Sequence, residues 1–126
     1  MATPRRWQLM DSAGPGYTGD EARRLLSNRA DHGTYETWFE AGDGRLLAVC
    51  TNGERALVML LADEGDSGQH LVDLQATGES GGFVLGNGQA DVYANRDTVP
   101  FATAGRAVAH LIDHDVWPDD VTVEVP

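Results

Sequence analysis

The chain has 126 residues, and its 20 acidic side chains against 9 basic ones give a formal charge of −11 with neutral histidines. A chain of this length makes one domain and buries roughly two thirds of the surface that its unfolded form exposes. Its negative field repels DNA, RNA and anionic lipid, so direct nucleic-acid and membrane-surface binding are excluded as expected functions.

Cys50 is the single cysteine and lies in the apolar run Leu46–Cys50. It reads as a buried, inert thiol in a reducing compartment, since no intramolecular disulfide can form. The first residues, Met-Ala-Thr-Pro-Arg-Arg-Trp, lack the roughly 7–15 apolar residues of a secretory segment, and no run approaches the roughly 18 of a membrane span. A soluble, cytoplasmic protein is expected.

Residues 1–17 have no periodicity and contain Ala13-Gly14-Pro15-Gly16, which predicts an irregular arm whose Trp7 and Met10 pack on the domain. Thr18 followed by Glu21 is a capping-box pattern, and Ala22, Leu25, Leu26 and Arg29 follow at helical spacing as far as a stop at Gly33. From Thr34 the period becomes two, with Tyr35, Thr37 and Phe39 on one face of a strand and Glu36, Trp38 and Glu40 on the other. Leu46–Thr51 and Arg55–Leu61 are apolar on both faces and predict central strands joined through Asn52-Gly53, a dipeptide that supplies the positive φ of a tight hairpin.

Gln69–Leu74, Gly82–Leu85 and Gln89–Tyr93 predict shorter strands. Thr98 is the expected N-cap of a second helix with Pro100 in its first turn; Phe101, Ala104, Val108, Leu111 and Ile112 form its apolar stripe up to about His114. The alternation Val121, Val123, Val125 predicts a last strand. The expected fold is therefore α+β: a largely antiparallel sheet of about six to seven strands with two helices, over residues 18–126. Leu47, Val49, Leu57, Met59, Leu61, Val108 and Leu111 are the expected core.

Chemical motifs are sparse. His110 and His114 are four apart on a helix with Asp113 between them, but HLIDH lacks the glutamate of HExxH and a third ligand, so the pair reads as histidines favoured at the negative end of a helix dipole. Asp63-Glu64-Gly65-Asp66-Ser67 lacks the twelve-residue calcium pattern, and Gly86-Asn87-Gly88 has neither GxGxxG nor a P-loop lysine around it. Ser27, Ser67 and Ser80 lie in no nucleophile elbow. No enzyme activity, catalytic residue, metal or cofactor is expected.

A meander places successive turns at alternate ends of the sheet, which groups Asp43, the Asp63–Asp66 loop and Asn87 as an acidic rim. Asn52, Glu54, Gln75 and Glu79 fall at the other end. Trp38, flanked by Glu36 and Glu40, and Trp117 are the aromatic residues of interest, because indoles are favoured interface anchors. The candidate partner-binding residues are accordingly Trp38, Asp43, Asp63, Glu64, Asp66 and Asn87. An edge strand such as Gln89–Tyr93 can pair with a partner strand or with its own copy, so a monomer and a homodimer are both open.

Tyr35-Glu36-Thr37-Trp38-Phe39, Thr51-Asn52-Gly53-Glu54-Arg55-Ala56 and Asn87-Gly88-Gln89-Ala90-Asp91-Val92-Tyr93 together resemble motifs of the Imm1 family of bacterial immunity proteins, in particular its actinobacterial members. The resemblance spans Tyr35 to Trp117 and departs from the pattern at Ala94, where a proline is looked for after Tyr93. It implies a cytoplasmic antitoxin that binds the toxin domain of a neighbouring secreted polymorphic toxin and obstructs its active site. The negative charge suits a cationic toxin that acts on nucleic acid, although a deaminase, a nuclease and a toxin without a nucleic-acid substrate all stay open. The other expectation is a small-molecule-binding or regulatory α+β module with a pocket between sheet and helices, where His110 or Tyr93 is a polar contact.

Overall fold

The computed structural model describes residues 5–10 and 12–126 and has two α-helices and nine strands among them. They are β1 (Trp7–Leu9), α1 (Gly19–Asp31), β2 (Glu36–Ala41), β3 (Leu46–Thr51), β4 (Arg55–Leu61), β5 (Gln69–Val72), β6 (Glu79–Val84), β7 (Ala90–Ala94), β8 (Val99–Pro100), α2 (Phe101–His114) and β9 (Thr122–Glu124). The main sheet runs β1-β2-β3-β4-β5-β9 with β8 against β4, all neighbours antiparallel, while β6 and β7 form a separate two-stranded sheet. The fold is α+β.

The capping box forms as the sequence predicts: the Thr18 hydroxyl accepts from the Glu21 N–H at 3.2 Å and the Glu21 carboxylate from the Thr18 N–H at 2.9 Å. Gly33, at φ 81°, carries the chain out of α1. Both helices pack on one face of the sheet. Between them and the sheet lie Trp7, Leu26, Phe39, Leu47, Val49, Val58, Leu71, Val108, Leu111 and Ile112, all buried.

Four expectations are corrected. The N-terminal arm is not irregular throughout, because Trp7–Leu9 pairs with Ala41–Phe39 and the Trp7 indole fills the core. Residues 1–4 and Asp11 of that arm lie outside the described residues. The second helix starts later than a Thr98 cap requires: Val99 pairs with Ala56 and Pro100 with Arg55, so the chain is still extended at Pro100. The Thr98 hydroxyl instead donates to the Asn95 carbonyl at 3.0 Å and accepts from Arg55 Nε at 2.7 Å.

The third correction concerns the core. Leu57 and Met59 are half-buried, because on β4 they alternate with Ala56 and Val58 and point to the face opposite the helices. The fourth concerns topology. The free edge of β5 is taken by the C-terminal β9, so the chain after Val72 cannot continue the meander and folds instead as the β6-β7 hairpin. Phe83 of that hairpin is fully buried outside the sheet-helix core, and Asn52 Nδ2 donates to the Gly81 carbonyl at 3.0 Å, which fixes the hairpin over the second sheet face.

Candidate functional site

Cross-strand register orders the face away from the helices into rows. Glu40, Leu46 and Leu61 make one row; Trp38, Ala48, Met59, His70 and Glu124 the next; Glu36, Cys50 and Leu57 the third. Side chains of period-two strands stand on this face in register, so the rows follow directly from the pairing. The hairpin is seated towards the third row, leaving a groove of about 180 Å³ lined by Glu36, Trp38, Ala48, Cys50, Leu57, Met59, Leu85 and Tyr93.

The lining is apolar apart from the Glu36 carboxylate, the Cys50 thiol and the Tyr93 phenol. Glu36 Oε1 accepts from the Gly86 N–H at 3.1 Å and thereby ties the hairpin turn to β2. The Tyr93 hydroxyl donates to Asp91 Oδ2 at 2.8 Å, and its ring meets Phe83 edge-on at 4.9 Å between centroids. Burial, and then the Glu36 and Asp91 charges, push the Cys50 thiol up to about 11. The Tyr93 phenol is pushed well above its ordinary range by burial first and the bond to Asp91 next. At neutral pH Cys50 is therefore a thiol, the form without nucleophilic power.

The predicted site residues are only partly brought together. Trp38 stands in the groove, half-buried. Asp43 and the Asp63–Asp66 loop share one end of the sheet, since Leu46 pairs with Leu61 and places their turns side by side. Asn87 does not join them: its neighbour Gly86 bonds Glu36, opposite Cys50 near the other end, and its Oδ1 accepts from the Gln89 N–H within the turn. The departure of the hairpin from the meander is the cause.

The acids of that end differ in availability. Asp43 is held by Arg45 at 3.0 Å, which keeps its carboxyl below the usual range, and Arg45 also binds Asp115 at 2.7 Å and lies over the Trp7 ring. Asp66 accepts from the Ala62 N–H at 2.9 Å and so closes its own loop. Asp63 and Glu64 are exposed, and among the described residues no arginine reaches within ion-pair distance of either. A wider hollow of about 630 Å³ beside this end is lined by Arg5 and Arg6 as well as Glu40 and Asp43, so its charges are mixed.

Three of the four histidines fall in two settings. His110 and His114 lie 4.6 Å apart between ring centroids, but His110 Nδ1–H donates to the Val116 carbonyl at 2.8 Å and Asp113 accepts from the Gly19 N–H at 2.7 Å. Asp113 thus joins the two helices. Unforeseen in the sequence, His70, Asp97 and Glu124 meet with ligand-type atoms within 4.8 Å of one another. Arg96 Nη1 stands 3.1 Å from Asp97 and 3.2 Å from Glu124, so the carboxylates already have a cation. His70 meets Glu124 through β5-β9 pairing, a contact between distant parts of the chain.

Compared with protein-family models, curated proteins and solved structures, the chain matches none.

Proposed function

We propose that this protein is an immunity protein: it binds a cognate cationic toxin domain in the cytoplasm of the producing cell and neutralises it without chemistry of its own. The observation that carries the reading is the sheet face away from the helices, where a half-open apolar groove containing Trp38 and Met59 lies one row from Glu40 and close to the exposed Asp63 and Glu64. An apolar centre inside a charged surround is how protein interfaces combine an anchor with steering. Internal ion pairs already engage Arg5, Arg24, Arg45, Arg55, Arg96 and Arg106, so the acids left over present negative charge to solvent.

The groove volume weighs against the small-molecule alternative at this place, because sites that enclose drug-sized ligands measure roughly 300–1,000 Å³. Of the two polar contacts offered for that alternative, Tyr93 lines this groove and His110 lies on α2 at the other face of the sheet. The motif resemblance to the Imm1 family points the same way as the geometry.

The test is co-expression with the C-terminal domain of the secreted protein encoded by the adjacent gene. Rescue of growth, together with a purified complex of the two proteins, is the expected result. Growth arrest unaffected by this protein, with no complex formed, would overturn the reading.

A further inference from the structure

We propose that the groove between β2-β3-β4 and the β6-β7 hairpin is a socket for one aromatic side chain carried on a basic segment of the protein partner. The inference rests on the immunity reading for the identity of that partner, but its chemistry is set by the groove itself.

Three observations select this occupant. The first is size: about 180 Å³ is too small for an extended ligand and close to the roughly 150 Å³ cavity that accepts benzene in an engineered protein core. The second is the lining. Ala48 is the small residue of its row, and Trp38 and Met59 stand on either side of it, so the floor is recessed between two large, half-buried side chains. Leu57, Leu85 and Tyr93 complete the apolar contacts. An indole and a thioether flanking a recess suit an aromatic ring, since sulfur and π-systems both make favourable aromatic contacts.

The third observation is charge. Glu36 lines the groove, Asp91 is held beside it by the Tyr93 hydroxyl, and Glu40 stands exposed in the adjoining row. Both Glu36 and Asp91 raise the proton affinity of Cys50, so their negative potential reaches the floor. Arg29 is the basic group near Glu36, and its guanidinium is spent on the Thr37 hydroxyl at 2.9 Å and the Glu36 carbonyl at 3.0 Å. A ring flanked by arginines satisfies the apolar floor and the anionic surround at once, whereas an acidic or neutral segment satisfies one at most.

The test uses the full chain and two synthetic peptides, acetyl-Arg-Arg-Phe-Arg-Arg-amide and the same sequence with alanine at the centre, with binding read by NMR titration. The phenylalanine peptide is expected to bind at least tenfold more tightly than the alanine peptide and to shift the amides of Ala48, Cys50, Met59 and Tyr93. Ala48→Phe, which fills the recess, should abolish that preference. Met59→Gln, at a half-exposed position, serves as the second variant should Ala48→Phe not fold, and should reduce the preference severalfold. Equal affinity for the two peptides, no detectable binding of either, or shifts confined to the Asp63–Asp66 loop would overturn the socket. A toxin domain from the adjacent gene that binds the wild type and Ala48→Phe equally would also overturn it while leaving the immunity reading intact. Peptide discrimination without any binding of that domain would sustain the socket and remove the immunity reading.

Discussion

At the scale of single residues, an outward-facing position on a central strand differs sharply from an inward-facing one. Leu47 is fully buried against the helices, and Leu47→Ala should cost about 2–5 kcal/mol in urea unfolding, the usual range for a buried leucine truncation. Leu57 faces the groove half-buried, and Leu57→Ala should cost under about 2 kcal/mol, because much of its apolar surface is already in water. Equal losses would mean that the hairpin covers the second face more completely than described. Cys50 gives a pH signature. Its pKa is raised from 9.0 in the reference state to about 11 in the fold, so the folded state holds the proton more tightly. Stability is therefore full below about pH 9 and falls as pH rises towards about 11. The Tyr93 phenol, also raised, has the same sign. Iodoacetamide at pH 8 should alkylate Cys50 far more slowly than free cysteine, and urea unfolding of Cys50→Ala should show a shallower alkaline slope.

At the scale of elements, two contacts hold pieces that are far apart in sequence. A Cβ at Gly19 would lie 2.3 Å from the Ala109 carbonyl oxygen and 2.6 Å from Asp113 Oδ2, so glycine is what lets the start of α1 approach α2. Gly19→Ala should cost about 1–3 kcal/mol, the usual penalty of overpacking, despite the better helix propensity of alanine. Thr18→Ala next to it should cost about 1 kcal/mol through loss of the cap alone. Arg55, the first residue of β4, makes the second such contact, with bonds to Asp73 Oδ2 at 2.8 Å, the Thr98 hydroxyl at 2.7 Å, and the carbonyls of Asn95 and Thr98. Arg55→Met leaves the part-buried Asp73 carboxylate without its cation and should cost on the order of 3 kcal/mol in urea unfolding.

For the whole molecule, charge and shape make separable contributions to the proposed complex. Steering acts on association and the apolar anchor on dissociation. The double substitution Asp63→Asn, Glu64→Gln should slow association with the toxin domain and flatten its salt dependence. Asp43→Asn should change the rate little, because Arg45 already compensates that charge. Trp38→Ala should mainly speed dissociation. Stopped-flow association at low and high salt, with dissociation followed by competition, separates these outcomes; an Asp43 effect as large as that of Asp63 and Glu64 would mean that Arg45 does not compensate the Asp43 charge.

Local physics was legible in the chain and long-range pairing was not. The Thr18–Glu21 capping box, the exit at Gly33, the Asn52-Gly53 turn and the period-two face of β2 each depend on residues within a few positions, so composition and spacing determined them. The placement of Asp43 beside the Asp63–Asp66 loop followed from consecutive hairpins for the same reason. That β9 takes the free edge of β5 depends on residues some fifty positions apart, for which no local signal exists. This one pairing displaced the β6-β7 hairpin onto the sheet face, carried Asn87 away from the acids and brought His70 to Glu124. Leu57 and Met59 line a groove instead of the core because the period-two alternation of β4 turns them away from the helices. The sequence by itself determined an acidic α+β chain with Trp38 on a carboxylate-lined strand face; the tertiary structure decided that this face is half-covered, because strands apolar on both sides need a second layer and the hairpin is too short to cover all of it.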